Sequence, residues 1–236
     1  MWLTWREAMQ RALYGPGGFY ARGERPAAHF RTSGHASPRY AGAVLSLLRE
    51  TDAALGRPDP LDLVDVGAGR GELLAQLLAL AGPDPVLAGR LRAHAVEVVP
   101  RPPGLDRRIR WCREVPPDIT GLVIASEWLD NVPVDTAELR PGGPRLLLVD
   151  PGSGDERPGP PPGPADRAWL QRWWPLRARG DRAEIGLPRD RAWAAAIGKL
   201  VRGLAVAADY GHRRAARPRA GTLAGYRDGR PVRPVP

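Results

Sequence analysis

The run Leu61-Asp62-Leu63-Val64-Asp65-Val66-Gly67-Ala68-Gly69-Arg70-Gly71-Glu72-Leu73-Leu74 limits what this chain can fold into more than any other stretch. Its apolar opening predicts a strand over 61–66. The three glycines predict a sharp turn, and the spacing that follows predicts a helix over 72–80. A buried strand that enters a helix through a glycine turn is the first half of a parallel βαβ unit. Further strands are expected at 93–98, 109–113, 121–125 and 204–208, and 121–125 is apolar enough to be covered on both faces. Strand and helix alternate here, which predicts an α/β fold, a parallel sheet with helices on both faces.

Outside that core the pattern is less regular. Residues 5–13 read as a short amphipathic helix that ends at Tyr14-Gly15-Pro16-Gly17-Gly18, and 21–38 as loop. Pro38 stands where a helix opens over 40–55. Segments 136–140 and 145–149 flank Pro141-Gly142-Gly143-Pro144 like the arms of a hairpin. Residues 151–164 form a Pro/Gly loop, and 166–174 and 190–201 are helical. Trp169 and Trp173, four apart on the first of these helices, are expected in a core. His94 is expected at the surface, and Cys112 as a small buried hydrophobe.

Of the 236 residues, 43% are hydrophobic and 26% charged, so a sizeable core is expected and wholesale disorder is excluded. No apolar run approaches the roughly 18–20 residues of a membrane span, and the first residues lack the pattern of a secretory signal. One cysteine permits neither an internal disulfide nor a Cys-based metal site, and the four histidines lack ligand spacing. The expectation is a soluble, cytoplasmic protein with no membrane insertion and no bound metal. A net charge of +9 and a pI near 10.8 invite a nucleic-acid reading. However, Lys199 is the only lysine among 35 basic residues, and Gly and Pro number 28 and 27. That is the pattern of a GC-biased coding sequence, and no run of like charge reaches five or six. Nucleic acid is therefore not the expected partner.

The glycine loop sits at the carboxyl end of the first parallel strand, where open α/β sheets bind ligands. A dinucleotide fingerprint starting at Gly67 needs a third glycine at position 72, which is Glu72, and no Gly-Lys-Ser/Thr follows for a phosphate loop. A carboxylate in the first helical turn suits S-adenosyl-L-methionine better, because that cofactor carries an ammonium and a sulfonium but no phosphate. Asp65 can organise its methionine end, and Gly67, Gly69 and Gly71 leave room for ribose and amino acid. Glu97, at the end of the second strand, can accept the ribose hydroxyls. The alternatives are a tight strand–helix turn and a surface carboxylate. The fourth strand ends in Ser126-Glu127-Trp128-Leu129-Asp130-Asn131-Val132-Pro133. One helical turn would put Glu127 and Asp130 on one side, able to hold a guanidinium and receive a proton. Alternatively they only favour a helix N-terminus.

These stretches resemble the MidA-like S-adenosylmethionine-dependent methyltransferases, whose mitochondrial member is a respiratory complex I assembly factor. Leu13-Tyr14-Gly15-Pro16-Gly17-Gly18-Phe19-Tyr20 is similar to the family's L-Y-x-P-x-x-G-Y-Y opening, and His29-Phe30-Arg31-Thr32-Ser33 to its G-D-F-x-T-S element. Val64 to Leu73 resembles the glycine motif and Ala95-Val96-Glu97-Val98 the acidic strand. Ser126-Glu127-Trp128-Leu129-Asp130-Asn131-Val132-Pro133 resembles N-E-x-x-D-A-x-P, the most specific of these motifs. Glu184-Ile185-Gly186, Asp209-Tyr210-Gly211-His212 and Gly221-Thr222-Leu223-Ala224-Gly225-Tyr226 match later elements.

The resemblance implies a class I, Rossmann-like fold and methyl transfer from S-adenosyl-L-methionine to a protein, with arginine as acceptor in the mitochondrial case. Gly67, Gly69, Gly71 and Glu97 would hold the cofactor, Thr32 and Ser33 would line its mouth, and Glu127 and Asp130 would face the acceptor. Tyr14, Phe19 and Tyr20 are candidates to cover the adenine or shape the acceptor channel. Three departures stand out. His29 replaces an aspartate and Ser126 an asparagine, and the chain reads as C-terminally truncated, which implies that the sheet's final antiparallel strands are missing. The expected organisation is an N-terminal helical segment with a cofactor-covering loop (1–56), a core cofactor-binding half (57–133), an inserted hairpin, loop and helix on the acceptor side (134–190), and a return to the core sheet with a polar tail (191–236). A cofactor-binding interaction module without catalysis and an RNA methyltransferase stay open as alternative readings.

Overall fold

The computed structural model describes residues 1–20, 22, 38–227 and 229–236. In chain order its elements are β1 (Leu3–Thr4), α1 (Trp5–Tyr14), α2 (Pro38–Ala54), β2 (Leu61–Val66), α3 (Glu72–Ala81), α4 (Pro85–Arg90), β3 (Leu91–Val96), β4 (Ile109–Cys112) and β5 (Ile119–Ser126). A 3-10 turn (Leu129–Asn131) follows, then β6 (Thr136–Arg140), β7 (Gly143–Val149), β8 (Glu156–Pro158), α5 (Pro164–Trp173), β9 (Arg182–Glu184), α6 (Leu187–Ile197) and β10 (Leu200–Ala208). The chain closes with β11 (Gly225–Arg227) and β12 (Arg230–Val232). These elements fall into two units. One comprises Met1–Phe30, Asn131–Arg191 and Gly211–Pro236; the other comprises Arg31–Asp130 and Ala192–Tyr210.

The second unit carries a five-stranded sheet in the order β10-β5-β2-β3-β4, every pair parallel. From β2 the chain runs outward through α3 and α4 to β3 and β4, then returns to β5 on the other side of β2. Strand order therefore reverses at β2 and β5, which opens a crevice at their carboxyl ends. Leu61, Leu63, Ala93, Ala95, Leu122 and Ile124 pack toward α2, α3 and α4. Val64, Val66, Val96, Val123 and Ala125 form a second cluster with Trp128 and Trp193. Burial on both faces is why these strands read as near-continuous apolar runs. Asp52 of α2 takes two hydrogen bonds of 2.8 Å from the Arg90 guanidinium, which also reaches the Pro58 carbonyl at 2.7 Å. That pair ties α2 to α4.

Three buried polar residues sit inside this sheet, of which Asp65 belongs to the site described below. Asp62 is buried and accepts from Arg92 (3.0 and 3.3 Å) and from the Thr120 amide (2.9 Å). His94, expected at the surface, is buried in β3, with Nε2 3.6 Å from Asp62. Burial lowers its pKa below the usual histidine value. The misplacement follows from strand periodicity, because His94 shares a sheet face with Asp62, whose carboxylate offers it a partner.

The first unit is antiparallel, in the order β1-β7-β6-β9, with β8 on β7. The expected hairpin is β6 and β7, paired through Ala137↔Leu146 and Arg140↔Gly143. The segment read as Pro/Gly loop contains β8, because Glu156 accepts from Trp5 Nε1 and Arg182 Nη1, both at 2.7 Å. The core here is Ala137, Leu146, Leu170, Trp174, Ala183 and Ile185, with Trp169 against it. Trp173, expected in the core beside Trp169, is 48% exposed. The helix ends at Trp173, and its C-cap Trp174, four on from Leu170, enters the core in its place. Among the described residues no helix is long and apolar enough to cross a membrane, and no group of three or more His, Cys, Asp or Glu is placed to hold a metal ion.

Candidate active site at the carboxyl edge of the parallel sheet

Register sets the site. Asp65 of β2 lies opposite Ala95 of β3 and Ile124 of β5. The residues just beyond, Gly67, Glu97 and Ser126, thus leave three adjacent strands side by side. Asp65 shares the sheet face of Leu61 and Leu63, and Ser126 that of Leu122 and Ile124.

The glycine loop is fastened to β3. The amides of Gly67 and Ala68 donate to the Val96 carbonyl at 2.9 and 3.2 Å, and the Gly71 amide to that of Ala68 at 2.8 Å. Glu97 then clasps the loop, with Oε2 accepting from the Gly69 amide (3.0 Å) and Oε1 from the Val98 amide (2.7 Å). Glu72 accepts from the Arg70 amide at 3.0 Å. Gly67 has φ 74, and a Cβ there would come within 2.5 Å of the Trp128 ring, so only glycine fits. At Gly69, also left-handed with φ 58, the corresponding space is open, and the nearest atom is Glu72 Oε2 at 3.9 Å. The loop is closed toward Trp128 and open at Gly69.

Asp65 is buried at the base of this loop. Burial first, then the charges of Glu97 and Glu72, push its pKa up to about 8. Such a carboxyl is primed for a cation, which would draw it back into the ionised form. Three carboxylates around the start of α3 oppose a pyrophosphate and favour an ammonium. Glu97, with one amide on each carboxylate oxygen, keeps acceptor capacity for hydroxyls. The residues present therefore fit S-adenosyl-L-methionine.

Beyond Ser126 the chain turns sharply. Glu127 has φ 49, a left-handed conformation that costs a non-glycine residue roughly 1–2 kcal/mol and persists only where neighbours impose it. Its amide donates to the Ala208 carbonyl (2.8 Å), and the Leu129 amide to Asp209 Oδ2 (2.8 Å). The expected single helical turn carrying Glu127 and Asp130 is not how the segment is built. The 3-10 turn starts at Leu129, so it includes Asp130 but follows Glu127. Glu127 is half-buried and Asp130 exposed.

Thr32 and Ser33 lie outside the described residues. Tyr14 and Tyr20 stack at 5.4 Å in the first unit and donate to Asn131, to its carbonyl (2.9 Å) and its Oδ1 (2.7 Å) respectively. His212 packs on the edge of Trp174. Tyr40 was not singled out from the sequence. Its hydroxyl hydrogen-bonds Ser126 Oγ across 86 positions of chain. Burial raises its pKa, with the charges of Asp65 and Glu127 adding to that, while the Ser126 bond works the other way. The one sequence signal was a phenol placed on an apolar helical face.

A parallel sheet with a glycine loop at its strand-order reversal and an acidic residue ending the next strand defines the class of Rossmann-like nucleotide-cofactor proteins. Within that class, residues 47–235 match the family described as "Putative S-adenosyl-L-methionine-dependent methyltransferase", and the chain belongs to this family. Its fold is also that of a COG1565 superfamily member from Burkholderia thailandensis, crystallised with S-adenosyl-homocysteine. That similarity has a TM-score of 0.76 and 24% identity over 98% of this chain and 65% of the other. A second crystal structure, of a COG1565 superfamily protein from the same organism, gives a TM-score of 0.68 and 25% identity over 89% of this chain and 57% of that one. The chain thus spans less than two thirds of the length of either structure. No curated protein matches it.

Proposed function

We propose that this chain is an S-adenosyl-L-methionine-dependent methyltransferase acting in the cytoplasm on a protein, with an arginine side chain as acceptor. One observation carries the reading: Glu97, Asp65 and the Ser126–Glu127 turn leave three adjacent parallel strands around a glycine loop that is open at Gly69. The family match and the S-adenosyl-homocysteine bound by the Burkholderia protein support it.

In this reading Asp65 pairs with the ammonium of the methionine end, Glu97 accepts the ribose hydroxyls, and Gly67, Gly69 and Gly71 let the backbone approach. Ser126 borders the same space, and Thr32 and Ser33 are candidates for its mouth. When bound, the cofactor supplies an electrophilic methyl group on a sulfonium. Glu127 and Asp130 hold the guanidinium, orient its nitrogen for in-line attack and receive the proton that nitrogen gives up. Placement and fixed charge supply most of the rate.

The test is transfer of a radiolabelled methyl group from the cofactor to a cell lysate. The expected result is ribonuclease-resistant label recovered as methylarginine, reduced roughly 100-fold in Glu127→Gln. Cofactor binding without transfer would make the chain an interaction module, and ribonuclease-sensitive label would make it an RNA methyltransferase.

A further inference from the structure

Ser126 closes β5 immediately before the Glu127 turn, and its short side chain offers one hydroxyl where a longer amide would reach further. A second hydroxyl supplies the missing contact. Tyr40, the third residue of α2, packs against the core beneath that helix and meets Ser126 Oγ with its own hydroxyl. We propose that the Tyr40 and Ser126 hydroxyls together hold this turn as one longer amide side chain would, and that Tyr40 is thereby a positioning residue for the Glu127 turn. This rests on the methyltransferase reading.

Two further observations support the pair. Glu127 holds a left-handed backbone, which must be fixed from both sides. On the β10 side, Ala208 and Asp209 fix it through the Glu127 and Leu129 amides. On the α2 side, the hydroxyl pair anchors Ser126, the residue immediately before it. The pair also lies in the field of Asp65 and Glu127, and burial keeps the phenol protonated. A neutral hydroxyl both donates and accepts, as an amide does, and adds no charge among carboxylates.

The test compares wild type, Tyr40→Phe, Ser126→Asn and the double variant. Tyr40→Phe should slow methyl transfer roughly three- to tenfold, the scale of one hydrogen bond, with S-adenosyl-homocysteine affinity changed less than threefold and the melting temperature nearly unchanged. Adding Ser126→Asn should restore the rate to within about threefold of wild type. Full activity in Tyr40→Phe, or no rescue in the double variant, would overturn the proposal. An activity-free readout is the ultraviolet titration of Tyr40, taken as wild type minus Tyr40→Phe. Its midpoint should lie above the ordinary 10.0 and fall in Glu127→Gln; an ordinary midpoint indifferent to Glu127→Gln would likewise overturn it. A wild type that neither binds S-adenosyl-homocysteine nor transfers methyl would instead defeat the functional reading, leaving the titration to decide the pairing alone.

Discussion

The carboxylates of the antiparallel unit and the one at the base of the glycine loop are handled in opposite ways. In the antiparallel unit each has at least two donors around it, and Arg182 serves two of them. Glu138 meets Arg182 (3.0 Å) and Arg140 (2.6 Å), Glu156 meets Arg182 and Trp5, and Glu184 takes the Thr222 amide and hydroxyl (2.8 and 2.7 Å) and the Leu223 amide (3.2 Å). In the parallel unit Asp65 is buried with Glu97 and Glu72 as its charged neighbours, and its pKa climbs to about 8. The first arrangement holds a scaffold together. The second keeps a carboxyl in its neutral form up to about pH 8, the kind of perturbed group that marks functional sites.

The largest expected effect separates the two directly. The unfolded chain gives up the Asp65 proton near 3.8 and the folded chain near 8. The folded state therefore holds an extra proton across that window, and stability falls as pH rises from about 4 to about 8. At about 1.4 kcal/mol per pH unit, the loss is on the order of 5 kcal/mol. Urea unfolding at the two ends of the window measures it, and Asp65→Asn should abolish most of the slope. A slope unchanged in that variant would break the comparison.

Next comes the scaffold side. Arg182→Ala leaves Glu138 with Arg140 and Glu156 with Trp5 and should destabilise the protein by about 2 kcal/mol, with S-adenosyl-homocysteine affinity unaltered. A matching loss of affinity would mean that this network belongs to the site. Comparable or smaller are the glycines. Gly67→Ala meets Trp128 and should cost about 2 kcal/mol of stability, while Gly69→Ala should cost only about 1 kcal/mol. Yet Gly69→Ala should weaken ligand binding more in proportion, because it fills the open side of the loop. Thermal melts with and without S-adenosyl-homocysteine distinguish the two.

Whatever was local was legible. An apolar run, three glycines and a helix sufficed to place β2, the loop and α3, and the order of parallel strands brought Glu97 to it. What escaped depended on distant partners. β8 owes its place to Trp5 and Arg182, His94 to Asp62, and Tyr40 to Ser126. Helix α4 did carry a readable start, since Asp84 caps the Leu87 amide at 3.0 Å and Pro85 follows it, but six residues give little periodicity. Helix α6 and strand β10 were displaced by a few residues, because the helix ends before Gly198 and Leu200 already enters the sheet.

Calorimetric titration with S-adenosyl-homocysteine, on wild type and Glu97→Ala, addresses the ligand-binding edge most directly. The wild type should bind in the micromolar range and the variant roughly 1–3 kcal/mol more weakly, the scale of hydroxyls left without their acceptor. Equal affinities, or no heat of binding with wild type, would contradict a cofactor seated on Glu97 at the rim of the parallel sheet.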